Sequence, residues 1–291
     1  MAVNIQWFPG HMAKALKGFK ANLSKVDIIF ELVDARCPYS SINPEIKRIG
    51  RGKPHLLILT KSDLANPKMT QHWLHYFRHH GYAAIAIDSK RNLKSRKFAD
   101  LTRQILSRQI NHQRQRGIRH NSVKAICVGV PNVGKSTLLN QLVNRRAAQV
   151  GNNPGITRGP QWLRAGNGLL LLDTPGILWH KFQNQTVADK IALVGSIKAG
   201  RYYNDDVALF ALKFFRQYHP KHLAKRYRLT TADFKLNDVD LLLKITKNVG
   251  MRDDYDRASL RVILDTRKAK LGRFTLDDVR KVEKHESAST N

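Results

Sequence analysis

The residues with the most chemistry in their spacing are "GVPNVGKS", Gly129 to Ser136. They satisfy G-x-x-x-x-G-K-[S/T], with an apolar run of strand length before them and a helical pattern after. That setting separates a phosphate loop from an incidental glycine-rich turn. Gly129 and Gly134 let the backbone curl so that successive N–H groups converge on an anion. Lys135 brings a point charge to the β- and γ-phosphates, and Ser136 offers a hydroxyl to Mg2+. The start of the following helix adds its positive dipole end. The nucleotide-contacting stretch runs from Asn132 through Val133, Gly134, Lys135 and Ser136 to Thr137. Downstream, "LLLLDTPG" puts Asp173 at the tip of a buried strand, to hold Mg2+ through water, and Gly176 where its N–H meets a γ-phosphate. Between the two, Thr157 in "NPGITRG" is placed to complete the Mg2+ shell only while a γ-phosphate is present.

The base is read elsewhere. In "LLILTKSD", Asp63 offers two carboxylate oxygens to the N1–H and N2–H2 of guanine, a donor pair that adenine lacks. Lys61 lays its aliphatic stem along the base, and Ser62 completes the loop. The first position of such a loop is usually asparagine; here it is Thr60, whose shorter side chain is expected to loosen the tie to the phosphate loop while keeping a hydroxyl. Asp88 and Ser89 in "AIDSK" stand where a last base-contacting loop belongs, with their backbone toward guanine O6. The motifs therefore run base, base, phosphate, switch, switch. An ordinary GTPase starts with the phosphate loop and ends with the base loops.

The elements that must position these residues are short apolar runs alternating with helical patterns: "VDIIFELVDA", "PHLLILTKSD", "YAAIAIDSK", "VKAICVGV" and "GLLLLDTPG" as strands, 69–80 and 97–116 as helices. This alternation predicts an α/β fold, a doubly wound, mostly parallel sheet. Because strand neighbours rather than chain order define a sheet, the old termini can be joined, here through 95–122, and the chain opened between "DTPG" and "DIIFELVDA". Both halves of the site still converge at the carboxyl ends of the strands. The motif order resembles that of the circularly permuted GTPases, and the fold class this implies is a circularly permuted P-loop GTPase domain over 1–180, with an N-terminal helical segment over 1–25, followed by a smaller all-helical domain expected over 181–285. The latter rests on apolar spacing in "TVADKIALVGSIKAG", "DDVALFALKFFRQY", "VDLLLKITKNVG" and "YDRASLRVILDTRKAKLG". Residues 286–291 are expected to lack structure.

A net charge of +29 points to a polyanionic partner, nucleic acid before membrane. The charge is clustered. Lys90, Arg91, Lys94, Arg96, Lys97, Arg103, Arg108, Arg114, Arg116, Arg119 and Lys124 are opposed only by Asp100, and a second set includes Lys221, Lys225, Arg226, Arg228, Arg267, Lys268, Lys270 and Arg273. Such clusters suit phosphate backbones. No run approaches the eighteen or so apolar residues that span a bilayer. Two cysteines, Cys37 and Cys127, are too few for a disulfide scaffold. A cytoplasmic monomer is the expected setting.

"QWFPGHMAKA", "ELVDARCPYSSINPEI", "NPGIT" followed by "QW", "LLDTPGILWHKF", "DVALFALKFF" and "LGRFTLDDV" together resemble the ribosome-biogenesis GTPase A family, also called YlqF, over essentially the whole chain. The resemblance implies a permuted GTPase that matures the large ribosomal subunit, binds the immature subunit and its ribosomal RNA in the GTP state, and leaves after hydrolysis to GDP. Hydrolysis needs a group that positions water. The residue after the D-x-x-G glycine is Ile177, which cannot do so. The resemblance places "FPGHMAK" near the switches, making His11 the catalytic candidate; the alternative is a histidine that docks the N-terminal segment or touches RNA. Asn132 resembles the phosphate-loop asparagine of GTPases that bind K+ beside the β- and γ-phosphates. Two other functions stay open at this point: a nucleotide-gated RNA-binding scaffold with negligible hydrolysis, and a GTPase acting on another RNA such as tRNA.

Overall fold

The computed structural model describes residues 10–88, 95–118, 122–143, 161–179, 182 and 184–289. Helix α1 (Gly10–Asn22) and a 3-10 turn lead to β1 (Ile28–Asp34), α2 (Pro44–Ile49), β2 (His55–Thr60), α3 (Pro67–His79) and β3 (Ala83–Ala86). Then come α4 (Ser95–Ile105), α5 (Ser107–Gln115), β4 (Val123–Gly129), α6 (Lys135–Val143), β5 (Gln161–Ala165) and β6 (Leu169–Asp173). Every regular element after residue 184 is helical: α7 (Gln185–Leu193), α8 (Asn204–Tyr218), α9 (Pro220–Tyr227), α10 (Asp238–Asn248), α11 (Tyr255–Arg267) and α12 (Val279–Ser289), with one further 3-10 turn.

The starts of these helices follow from local chemistry. Asn43 and Asn66 cap α2 and α3, each followed by a proline whose missing N–H costs nothing at the first helical position; Asn237 and Asp254 cap α10 and α11. The basic segment expected as one helix over 97–116 is two, broken at Leu106, which turns into the core with 2% exposure. Likewise "TVADKIALVGSIKAG" is helical only to Leu193, because the chain adopts φ +92° at Gly195 and the Arg267 side chain lies 3.2 Å from where a Cβ would stand. The tail expected to lack structure over 286–291 is helical as far as Ser289. Asp278 accepts from the Arg280 N–H at the start of α12, and Val279 and Val282 pack on the aromatic cluster of α3.

Among the described residues the sheet has six strands in the order β3-β2-β1-β4-β6-β5, all parallel except β5 against β6. β1 is buried along its whole length and pairs with β2 on one side and β4 on the other, so the strand leading to "LTKSD" and the strand leading to "GVPNVGKS" flank one central strand. This is the permuted arrangement, with strands distant in the chain adjacent in the sheet. One apolar cluster holds sheet residues Phe30, Leu32 and Leu171 together with Ile191, Phe215 and Ile263 of the helical region.

Candidate nucleotide-binding site

The phosphate loop leaves β4 and turns through two left-handed positions, Asn132 (φ +57°) and Gly134 (φ +106°), before α6. Glycine meets the second at no steric cost, and asparagine is among the side chains that tolerate the first. Lys135 is buried and pairs with the Asp173 carboxylate at the end of β6. The residues after β6 are fastened to the same loop. Thr174 Oγ1 donates to the Cys127 carbonyl at 2.7 Å, and the Ile177 N–H donates to Gly129 O at 3.0 Å. A Cβ on Gly176 would lie 2.7 Å from Pro131 Cα, so only glycine allows this approach. Ile177 itself is fully buried with Ala15, Phe19, Ile126 and Leu172.

The loop expected to read the base leaves β2 and grips the phosphate loop directly. Thr60 Oγ1 lies 2.5 Å from Val133 O and 3.1 Å from Val33 O, so the expected loosening at this position does not occur: the hydroxyl makes the tie. Lys61, itself left-handed at φ +56°, donates to Asn132 O at 2.6 Å. The Ser62 N–H donates to Ile87 O at 3.2 Å, which brings the Asp88 segment beside the loop that carries Asp63. Asp63 and Asp88 are both half-buried.

Three supporting residues escaped sequence reasoning. Asp34, at the end of β1, accepts from Lys61 Nζ at 2.9 Å and receives a bidentate bond from Arg36, with Nε at 2.8 Å and Nη2 at 2.7 Å. Burial works to raise the Asp34 carboxyl; the Arg36 and Lys61 cations outweigh it and hold it well below the usual carboxylate range. Arg36 also reaches the Val194 and Arg267 carbonyls of the helical region. Asn43, discussed below, is the third. Asp34 ends a wholly buried strand and lies in "ELVDARCPYSSINPEI", a stretch that sequence analysis used for its resemblance alone.

Among the other expected site residues, Asn132 donates its side-chain amide to Gly195 O at 2.8 Å. Ser136 and Thr137 sit half-buried at the start of α6. His11 is exposed at the start of α1, a helix whose Ala15 and Phe19 share the cluster that buries Ile177. Ser89 and Thr157 lie outside the described residues. No group of three or more His, Cys, Asp or Glu able to hold a metal occurs among the described residues. A hydroxyl at Ser136 and a single carboxylate at Asp173 leave most of an octahedral shell to water and phosphate oxygens, which is how Mg2+ is usually held.

Residues 124–249 match the family model described as 50S ribosome-binding GTPase. That match opens one residue into β4, at the start of the phosphate-binding half. Ribosome biogenesis GTPase A of Priestia megaterium is 40% identical, covering 97% of this chain and 99% of its own length. The protein of the same name from Bacillus cereus is 39% identical, over 96% and 99%. The chain belongs to the ribosome biogenesis GTPase A family. GNP-bound YlqF from T. maritima has the same fold, with a TM-score of 0.63 at 24% identity over 91% of this chain and 97% of its own. Like this family's fold, the sheet described above is that of a circularly permuted GTPase, with a helical region appended.

Proposed function

We propose that this chain binds GTP with Mg2+, hydrolyses it to GDP and phosphate, and acts as an assembly factor for the large ribosomal subunit. It binds the immature subunit in the GTP state and leaves after hydrolysis, with subunit RNA stimulating a slow intrinsic rate. The observation that carries this reading is the direct joint between the two halves of the site: Thr60 to Val133 O and Lys61 to Asn132 O. One ligand with a base at one end and phosphates at the other fits loops tied at that spacing. Asp63 and the Asp88–Ser89 segment take the guanine, Asn132 to Thr137 the phosphates. Lys135 exchanges its Asp173 partner for the β- and γ-phosphates. Ser136, Thr157 and Asp173 serve Mg2+, Thr157 only in the triphosphate state.

In this reading residues 1–180 form the GTPase domain and 181–285 a helical RNA-binding domain. The basic clusters meet ribosomal RNA through its phosphates. The protein works as a cytoplasmic monomer; none of the described helices is long and apolar enough to cross a membrane. His11 supplies the water-positioning group, since Ile177 points into the core. Asn132, whose amide donates to Gly195 O, contributes its side-chain oxygen to K+ in this reading. Loss of subunit-stimulated turnover in His11→Ala supports the first of these roles, and undiminished turnover removes it. Equal rates in K+ and Na+ remove the second.

Burial of Ile177 favours one alternative, a nucleotide-gated RNA-binding scaffold with negligible hydrolysis. Single-turnover GTP cleavage, with and without large-subunit precursors, separates the two. Cleavage accelerated by the precursor supports the proposal; a flat, negligible rate in both supports the scaffold. Co-sedimentation with precursors at several salt concentrations tests the partner, because non-specific binding collapses steeply as salt rises.

A further inference from the structure

The segment between β1 and α2, "ARCPYSSIN", contributes no residue to the roles above apart from Arg36. Yet its last residue, Asn43, is 1% exposed and bonds in three directions. Its backbone N–H donates to Glu31 Oε1 at 3.3 Å, and its side-chain oxygen accepts from the Glu45 N–H at 3.0 Å, capping α2. Its side-chain amide donates to the Ile177 carbonyl at 3.0 Å, across 134 residues of chain. Ile177 follows the glycine whose N–H is assigned to the γ-phosphate. Its own N–H is held by Gly129 O of the phosphate loop, and its side chain is fully buried. Both backbone polar groups of Ile177 are therefore tied, one to the phosphate loop and one to Asn43.

We propose that Asn43 is a positioning residue for the triphosphate state: it fixes Ile177, and with it the Gly176 N–H, before the γ-phosphate arrives. The proposal rests on the GTP-hydrolysing reading above. Donors held in advance cost no reorganisation when charge develops against them. Asparagine is suited because the position needs an acceptor for α2 and a donor for Ile177 at once. Aspartate caps but cannot donate, and serine caps but is too short to span to the same carbonyl. GDP has no atom at the γ position, so the effect falls on GTP and spares GDP.

Asn43→Ser tests this, since serine preserves the helix cap. We expect a melting temperature close to the parent's, unchanged GDP affinity, and about tenfold weaker binding of a non-hydrolysable GTP analogue, the order of one lost buried hydrogen bond. Single-turnover cleavage should fall by at least the same factor. Parental analogue affinity overturns the proposal, as does a GDP affinity weakened as much as that of the analogue, which marks a purely structural role. Should the variant fold poorly, Asn43→Asp replaces it: aspartate also caps α2 and cannot donate to the Ile177 carbonyl. Analogue binding weakened with GDP binding kept supports the proposal, and parental analogue affinity overturns it. A parent that binds GTP but never cleaves it sinks the hydrolytic reading alone, and the affinity measurements still decide the role of Asn43.

Discussion

Glu31 sits on the central strand with 2% exposure, and burial pushes its carboxyl up to about 7 against the lowering pull of the Asn43 N–H and Lys47. Its ordinary value is 4.5. Between these two values the unfolded chain releases a proton that the folded chain keeps, so stability falls as pH rises through the window and levels off above it. Glu31→Gln retains an acceptor for Asn43 and has no proton to lose. Its stability relative to the parent should therefore grow by roughly 3 kcal/mol from pH 4.5 to above 7. Urea unfolding at both ends of the range measures this, and a constant difference would show that the carboxyl is not held protonated. At this scale the sequence was most legible where a ligand dictates residue types at close spacing, as in "GVPNVGKS" and "LTKSD". Thr60 was misjudged because its bond depends on where Val133 lies, 73 residues away in the chain. The roles of Asp34 and Asn43 were hidden for the same reason: a polar residue ending a strand or capping a helix looks alike whether or not it also holds a loop distant in the chain.

Helices and strands with a strong apolar pattern were legible, and their ends were less so. Of the strands bearing the site, β6 is apolar up to Asp173 and β4 is apolar after the exposed Lys124, as strands largely covered on both faces must be. By contrast, α12 carries mostly polar residues and owes its place to two valines, which meet Trp73, Tyr76 and Phe77. Composition alone suggests a loose tail there, because the partner surface belongs to α3. Ending the chain after Asp278 should lower stability by about 2 kcal/mol, the scale of one buried valine with its neighbours. Trp73, now fully buried, should shift its emission to the red. Unchanged melting and emission would show that α12 contributes no packing.

For the molecule as a whole, the permuted order of parts was visible in the motifs, whereas the joints between parts were not. Asp277 is one such joint. It accepts from the Ser40 N–H at 2.8 Å, from Ser40 Oγ at 2.6 Å and from Lys190 of α7 at 2.8 Å, while its carbonyl accepts from Trp73 Nε1 at 3.2 Å. Close by, the Leu276 N–H meets Arg36 O and the Phe274 N–H meets Leu64 O, so the end of the chain is stitched along the base-reading side. Asp277→Ala strands a largely buried lysine and should cost about 3 kcal/mol in denaturant unfolding. A change within error of zero would mean that the three parts hold without this carboxylate. The seam between β1 and β4 has a further consequence, in time rather than space. Translation delivers β1 first and β4 roughly ninety residues later, a wait of about 5–20 s at ordinary elongation rates. Throughout that interval the nascent chain carries a mostly apolar strand with one open edge, and the loop after β2 lacks the phosphate loop that it grips in the folded chain. The young polypeptide, not the finished one, is where a chaperone has the most to shield.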